Sequence, residues 1–229
     1  MSRDPLAAEL GTRSRNLQPN PMPTSAQILA WLQRYTDEIA KQKDFLTQLD
    51  AAIGDADHGA NMHRGFQNVI TKTAAMGDQD IGAILKTVAM TLISTVGGAS
   101  GPLYGTFFLQ ASMAAGPKKE ICSEEFGVML EKGVSGVVQR GKAIVGDKTM
   151  IDALEPAVDA LKGALKAGEP LSQALSKASE AAHRGVESTI PLVARKGRAS
   201  YLGERSAGHQ DPGATSSWLL FQAAAETIT

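Results

Sequence analysis

The stretch LDAAIGDADHGANMHRG, residues 49–65, separates two segments of helical periodicity and decides how the rest of the chain is interpreted. It carries three carboxylates, Asp50, Asp55 and Asp57, interspersed with glycines. Apolar residues recur at helical spacing up to residue 49 and again from residue 62. The acidic stretch between them is therefore predicted to be a turn that joins two helices.

The three carboxylates repel one another at this spacing unless a cation or a hydrogen-bond network compensates their charge. Ligands that are all oxygen atoms on a short turn suit a hard ion, above all Mg2+. The alternative is that each aspartate only caps a helix or forms an Asx turn, as single aspartates commonly do. Because all three lie together beside glycines, we favour a metal site with Asp50, Asp55 and Asp57 as its ligands.

The composition narrows the class of protein. The chain has 229 residues, of which 43% are hydrophobic and 5% aromatic, so it can bury a sizeable core of closely packed helices. Its formal net charge of -1 gives no sign of a nucleic-acid or membrane partner. The single cysteine, Cys122, fits a reducing compartment, and no apolar run approaches the roughly 18 residues that span a bilayer. We expect a cytoplasmic protein.

About eight helices and no convincing strand follow from the periodicity, which indicates an all-α protein. Residues 1–23, polar and rich in Arg and Pro, are expected to form a flexible extension before one helical domain at 24–229. The first helix is expected to run to about Leu49, and Pro156 should kink the sixth helix or mark its start. Other boundary signals are the capping box Thr24–Gln27, Pro102 as a first helical residue, Ser123 as a cap, and Asp211 before Pro212.

A second glycine-rich turn, VGGASGPLYG at residues 96–105, lies before a predicted helix. Small residues let backbone N–H groups approach an anion, and a helix N-terminus favours negative charge, so this turn is a candidate phosphate cradle. A tight helix–helix turn is the alternative, since Gly and Ser serve turns equally well.

The segment ARKGRASYLGERSAGHQ, residues 194–210, is basic and lacks periodicity. Arg198 or Arg205 is a candidate lid over a ligand, although a solvated loop is the simpler explanation for either one. The histidines leave a similar choice open, because each either orients a ligand or forms a hydrogen-bonding cap; they are His58, His63 and His209.

The spacing of the turns suggests that they meet. In an up-and-down arrangement of helices, alternate connections lie at the same end. The turns at 54–59, 97–101 and 141–146 and the basic segment therefore meet at one mouth, which would hold metal ligands, backbone donors and arginines for a polyphosphate. A P-loop, an EF-hand and a nucleophile elbow are absent from the sequence.

Four long motifs resemble the L-type, nucleotide-binding subunit of dihydroxyacetone kinases. They are LDAAIGDADHGANMHRGF (49–66), TVGGASGPLYGTFF (95–108), GDKTMIDAL (146–154) and ARKGRASYLGERSAGHQDPGATS (194–216), in the family's order. The resemblance implies a barrel of eight antiparallel helices with the nucleotide at one end.

The resemblance also implies roles for particular residues. Asp50, Asp55 and Asp57 would bind two Mg2+ ions and act in catalysis together with Arg198. The residues implied to contact ADP or ATP are His58, Gly59, Ala60, Asn61, Ala99, Ser100 and Gly101. Gly141, Thr149 and Met150 would line the adenine end, and Arg198, Asp211, Pro212 and Gly213 would close the site.

The family has two branches. In one, this domain is fused to a dihydroxyacetone-binding domain and consumes ATP. In the other, it is a separate chain that keeps ADP as a coenzyme, which a phosphohistidine carrier of the phosphotransferase system, the M-type protein, rephosphorylates. The phosphoryl group then passes to dihydroxyacetone held on a K-type partner subunit. The present sequence has no counterpart of the substrate-binding domain, so we expect the second branch.

Two other functions stay open. The chain could be a subunit of an ATP-dependent kinase for dihydroxyacetone or another short ketose or polyol, or a nucleotide-sensing regulator without chemistry. The intact aspartate triad argues against a purely regulatory role, since sensing needs no paired metals. A homodimer is one assembly that the sequence allows.

Overall fold

A computed structural model describes residues 22–228 of the chain. The expectation of a flexible segment at 1–23 lies almost entirely outside these residues. Within them the fold is helical and contains no β-strand. The α-helices are α1 (Ser25–Lys41), α2 (Lys43–Ile53), α3 (His58–Thr73), α4 (Ile81–Thr95), α5 (Ser100–Ala115), α6 (Ser123–Gly141), α7 (Ile151–Lys166), α8 (Leu171–Ser188) and α9 (Pro212–Thr227).

Eight of these helices form a closed ring. Each helix from α3 to α8 packs on the next one along the chain, and α1 closes the ring by packing on both α3 and α9. The remaining helix, α2, lies against α3 and α9. The all-α prediction is therefore confirmed. The helices of the described part number nine rather than eight because the expected first helix is divided into α1 and α2.

Aromatic side chains fill the space inside the ring of helices. Tyr35 of α1 meets Phe66 of α3 edge to face, with ring centroids 4.6 Å apart, and Phe66 also lies edge to face against Phe108 of α5. Such contacts add about 0.5–1.5 kcal/mol to the burial of each pair. Trp31 donates its indole N–H to the Leu220 carbonyl at 2.9 Å, which ties α1 to α9. One hydrophobic core takes members from every α-helix, and the single-domain boundary at 24–229 stays a prediction.

The start signals predicted from the sequence are partly confirmed. Thr24 forms the expected capping box with Gln27, and Asp211 caps α9 with Pro212 as its first residue. The other two predictions were wrong by one or two positions. The cap of α6 is Cys122 rather than Ser123, and α5 begins at Ser100, two residues before Pro102.

Pro156 lies inside α7 instead of marking its start. Because proline has no N–H, the carbonyl of Asp152 one turn earlier loses its helical partner. Gly185 of α8 packs directly on that carbonyl, and a Cβ on Gly185 would lie only 2.0 Å from the oxygen. The proline and the glycine thus allow close contact between α7 and α8.

The basic segment after α8 is more ordered than its sequence pattern predicts. Residues Arg198–Ser206 form a 3-10 segment, interrupted at Gly203. Ala199 and Leu202 of this segment pack with Ile53 at the end of α2 in a small second hydrophobic cluster. This contact holds the segment beside the acidic turn. Across residues 22–228, none of the helices is long and apolar enough to cross a membrane.

Candidate functional site

The acidic turn brings its three carboxylates together. Asp50 lies in the last turn of α2, and Asp55 and Asp57 lie in the turn that leads to α3. Each of the three offers an oxygen within 4.8 Å of the oxygens of the other two. The predicted cluster is therefore present as a set of side chains that face one point.

Asp50 is held in place by the start of α3. Its Oδ2 accepts the backbone N–H groups of Asp57 at 2.8 Å and His58 at 3.1 Å, so the carboxylate lies at a helix N-terminus. Gly54 fits closely over the same side chain, since a Cβ there would lie 2.0 Å from Asp50 Oδ1. Ala56 adopts a left-handed backbone with φ of 62°, which is uncommon for a residue with a side chain. The turn is thus shaped around the Asp50 carboxylate.

Arg198 reaches the cluster from the other side. Its guanidinium forms an ion pair with Asp55 Oδ2 at 3.0 Å, and it is 66% exposed. An exposed pair of this kind contributes little to stability, about 0–1 kcal/mol. The pair matters for position, because it holds an exposed cationic group beside three carboxylates.

The second glycine-rich turn faces the acidic one. Residues from Gly97 to Ser100 line the same cavity as the aspartates, and no side chain caps the start of α5. Gly98 has a φ of 65°, in the region that glycine adopts most readily. Uncapped N–H groups at a helix N-terminus suit an anion, as the cradle hypothesis requires.

His58 connects three helices under the cavity. Its Nδ1 lies 3.1 Å from the Ser100 hydroxyl of α5, and its Nε2 lies 2.9 Å from the Ser216 hydroxyl of α9. Tyr104 shares the Ser216 hydroxyl at 2.8 Å. Burial lowers the pKa of the His58 imidazole, although Asp50 and Asp57 oppose that shift. A neutral, fully hydrogen-bonded imidazole orients its neighbours rather than carrying charge.

Asp211 supplies a buried carboxyl group to the lining of the same cavity. Its Oδ1 accepts the Ala214 N–H at 2.6 Å as the cap of α9. Burial raises its pKa from the usual 3.8 to about 7; the Ala214 hydrogen bond and Lys148 oppose this rise, and the charges of Asp152 and Asp50 add to it. The carboxyl thus sits near the midpoint of its titration at neutral pH.

One cavity of about 440 Å3 joins these parts. It is lined by residues from the acidic turn, the glycine-rich turn, the α6–α7 connection, the basic segment and the start of α9. The predicted meeting of alternate connections at one mouth is therefore confirmed. Its volume falls in the range of about 300–1,000 Å3 that is typical of small-molecule sites.

Most of the predicted site residues line this cavity. Those that do are Asp50, Asp55, Asp57, His58, Ala99, Ser100, Gly141, Thr149, Met150, Arg198, Asp211, Pro212 and Gly213. Four others lie just behind the wall, namely Gly59, Ala60, Asn61 and Gly101. Their contact with a nucleotide stays a prediction.

The two glycines behind the wall have packing roles of their own. A Cβ on Gly59 would lie 2.1 Å from the Lys43 carbonyl, and one on Gly101 would lie 2.2 Å from the Val96 carbonyl. Asn61 accepts a hydrogen bond from Arg64 at 2.6 Å and lies beside Gly97. The two glycines thus let α3 approach α2 and let the start of α5 approach the end of α4.

Sequence reasoning did not single out several lining residues. Among them are three cationic side chains and a buried tyrosine, which are Arg140, Lys148, Lys196 and Tyr104. Lys148 and Tyr104 do lie inside the conspicuous motifs GDKTM and VGGASGPLYG. Lys196 lies in the basic segment at 194–210, which stands out only by its overall charge, and Arg140 lies at the end of α6, where charge alone carries no signal.

The residues present fit a divalent cation and a polyphosphate. Three carboxylates around one point supply anionic oxygen ligands of the kind that Mg2+ takes. Opposite them, the start of α5 offers backbone donors, and Arg198 and Lys196 add positive charge at the rim. Such a site can bind a phosphate chain on two sides and stabilise charge on a phosphoryl group in transfer.

Known proteins resemble this chain over most of its length. The family model described as the DAK2 domain matches residues 52–226. The chain is 51% identical over 196 residues to the ADP-binding subunit of the PEP-dependent dihydroxyacetone kinase of Escherichia coli, which covers 86% of this chain and 93% of that protein. It is 39% identical to the ADP-binding subunit of the PTS-dependent kinase of Lactococcus lactis, over 90% of this chain and all of that one.

A solved structure supports the fold as well. The crystal structure of the dihydroxyacetone kinase of C. freundii superposes with a TM-score of 0.68 at 25% sequence identity. The match covers 98% of this chain and 38% of the C. freundii chain, so it concerns one part of that larger kinase. Together, the family match, the relatives and the fold establish that the chain belongs to the DAK2-domain family.

Proposed function

We propose that this chain is the ADP-binding subunit of a dihydroxyacetone kinase. In this role it keeps ADP as a coenzyme, accepts a phosphoryl group from a phosphohistidine carrier, and passes it to dihydroxyacetone on a K-type partner subunit. The observation that carries the proposal is the cavity in which three carboxylates face the uncapped start of α5. The 51% identity to an ADP-binding subunit, over nearly the whole length of that protein, gives the substrate class.

The carboxylates of Asp50, Asp55 and Asp57 would hold Mg2+, and two ions are proposed. Bound magnesium neutralises and aligns phosphate oxygens. The protein's own part is to fix the ligands. Asp50 is anchored by two backbone N–H groups, so its carboxylate is oriented before any ligand arrives. Such preorganisation avoids the cost of rearranging the ligands during transfer.

The remaining groups bind and enclose the nucleotide. The backbone N–H groups at the start of α5 would donate to phosphate oxygens on the side away from the aspartates. Arg198 would exchange its ion pair with Asp55 for the transferring phosphoryl group and offset its charge. Met150 and Gly141, which line the cavity on the side of the α6–α7 connection, would contact the adenine ring. The 3-10 segment would cover the site and keep water out.

The proposal also includes two partner proteins. The carrier must bring its phosphohistidine to the mouth, and the K-type subunit must later bring its substrate to the same mouth. Both partners therefore need access to the face formed by the 3-10 segment and the two glycine-containing turns. A cytoplasmic location fits this role. We leave a homodimer open, because nothing in the mouth requires a second copy.

A turnover assay tests the proposal. The purified chain is mixed with the K-type subunit and dihydroxyacetone, and receives either excess ATP or a phosphoenolpyruvate-driven phosphocarrier. We expect many turnovers with the carrier and no more than about one turnover per chain with ATP alone. Sustained turnover with ATP alone would favour an ATP-dependent kinase. Absence of turnover with both donors, despite bound nucleotide, would favour a regulator.

A further inference from the structure

Lys148 is a buried cation with no role in the proposed chemistry. Its side chain is 1% exposed, although it stands on a connection between two helices. Its ammonium group donates hydrogen bonds to the carbonyls of Thr189 at 2.8 Å, Leu192 at 3.1 Å and His209. An ammonium group has three donors, so these three carbonyls satisfy it, and the Ile190 carbonyl lies slightly further away at 3.4 Å.

The three carbonyls belong to the two ends of one segment. Thr189 and Leu192 begin the connection from α8 to α9, and His209 ends it. Between them lies the 3-10 segment that carries Arg198. Lys148 therefore joins the beginning and the end of this connection at a single nitrogen.

Backbone contacts reinforce the same junction. The Gly208 N–H donates to the Ile190 carbonyl at 2.7 Å, and the Asp211 N–H donates to the Thr189 hydroxyl at 3.0 Å. The Arg195 N–H donates to the carbonyl of Asp147, the residue before Lys148, at 3.0 Å. Hydrogen bonds thus join the two ends of the α8–α9 connection and link it to the α6–α7 connection.

The position is costly for a lysine. Burial lowers the pKa of the Lys148 ammonium, although the charges of Asp211 and Asp152 oppose that shift. Its backbone is left-handed, with a φ of 62°, which a residue with a side chain seldom adopts. A buried, strained cation that only filled space would be easier to replace by an apolar residue.

The position of Arg198 depends on this junction between the two ends of the connection. Its guanidinium is 66% exposed, and its one ion pair, to Asp55, is of the kind that contributes little. The packing of Ala199 and Leu202 on Ile53 is a small cluster at the same end. Besides this cluster and the Ala194 N–H, which donates to Ser206 Oγ at 2.8 Å, the conformation of the segment depends on where it enters and leaves the fold.

We propose that Lys148 is a positioning residue that acts through Arg198. By gathering the two ends of the connection from α8 to α9, its ammonium group holds Arg198 over the carboxylates and keeps the nucleotide enclosed. This inference rests on the proposed function for its effect on the nucleotide, whereas its effect on the conformation of the connection can be measured without any ligand.

A double-mutant cycle tests the coupling. Lys148→Met keeps the length of the side chain but removes the charge and the three donors, and Arg198→Ala removes the group that is positioned. We expect Lys148→Met to speed the dissociation of ADP and to slow phosphoryl transfer by about 10- to 100-fold, the range caused by a displacement of about 1 Å. In the Arg198→Ala background, the same substitution should change either rate less than 2-fold, because coupled residues are not additive.

A merely structural role gives a different pattern. Lys148→Met would then lower the melting temperature and change both rates by the same factor in either background, and that result overturns the proposal. The control is Lys166→Met, which removes an exposed lysine from the end of α7 and should change neither rate.

Hydrogen–deuterium exchange keeps the inference testable if Lys148→Met fails to fold. In the unmodified protein without nucleotide, we expect the amides of Arg195, Gly208 and Asp211 to be protected, because each donates across the junction. The milder variant Lys148→Gln should raise exchange at these three amides at least 10-fold and leave the helices unchanged. Exchange at unstructured rates in the unmodified protein, or no change in Lys148→Gln, overturns the inference. Lack of bound ADP with protection intact contradicts only the proposed function.

Discussion

Replacing Gly54 by alanine should displace Asp50 from the carboxylate cluster while leaving the helices intact. The new Cβ would lie 2.0 Å from Asp50 Oδ1 and 2.9 Å from its Cγ. Ordinary contacts of this kind are about 3.4 Å, so the carboxylate must move by more than about 1 Å. The φ of Gly54 is -139°, so the substitution does not require a left-handed alanine, and the predicted effect is that of the contact with Asp50.

The size of the effect follows from what Asp50 does. A shift of about 1 Å breaks its hydrogen bonds to the N–H groups of Asp57 and His58, each worth about 1.5–3 kcal/mol when the acceptor is charged. Water can replace part of the lost hydrogen bonding, so we expect the free energy of unfolding to fall by about 1–3 kcal/mol. Because Mg2+ demands near-ideal geometry, the affinity for Mg2+ and ADP should fall about 10- to 100-fold.

Isothermal titration of ADP at several Mg2+ concentrations measures the affinity, and urea unfolding measures the stability. Gly77→Ala is the matched control, since a Cβ there meets nothing within 4 Å, and it should leave both quantities unchanged. A Gly54→Ala protein that binds Mg2+ and ADP as tightly as the original would refute the argument that this glycine shapes the Asp50 ligand.

Three more substitutions probe separate parts of the site. Asp55→Asn should abolish turnover and loosen the nucleotide, yet change the free energy of unfolding by less than about 1 kcal/mol, because the side chain is partly exposed; retained turnover would remove Asp55 from the metal site. Asp211 holds a proton up to about pH 7 in the folded state and releases it near 3.8 when unfolded, so it makes stability fall as pH rises between these values. Asp211→Asn keeps a helix cap and should make the slope of stability between pH 5 and 7 more positive by up to about 1.4 kcal/mol per pH unit, measured by urea unfolding in chelator; an unchanged slope contradicts the raised pKa. Ser216→Ala leaves the buried His58 Nε2 without its partner and should cost about 1–3 kcal/mol, whereas Ser217→Ala should cost less; equal losses in urea unfolding would argue against the His58 network.

Local patterns predicted much of this fold because they depend on neighbouring residues. The cap at Asp211 with Pro212 after it and the Thr24 capping box are signals within four residues, and both are confirmed. The break at Gln42 left no such signal. Buried positions continue at helical spacing from Ile39 to Leu46 and Asp50, so the periodicity runs through the break.

The candidate site could be predicted where its chemistry is concentrated in the sequence. The three carboxylates lie within eight residues, and alternation of the connections placed them opposite the glycine-rich turn. The role of Lys148, in contrast, could not be predicted from the sequence. Its partners lie 41 to 61 residues further along the chain, and only the folded connection reveals that their carbonyls point at one nitrogen.

The central property proposed for this chain is that it keeps ADP as a resident coenzyme. The most direct measurement is to pass the purified protein through gel filtration with Mg2+ present, denature it, and quantify the released small molecule by mass spectrometry. We predict close to one ADP per chain, and loss of that ADP when the same column is run with a chelator. Protein that emerges folded and free of nucleotide in the presence of Mg2+ would contradict the claim.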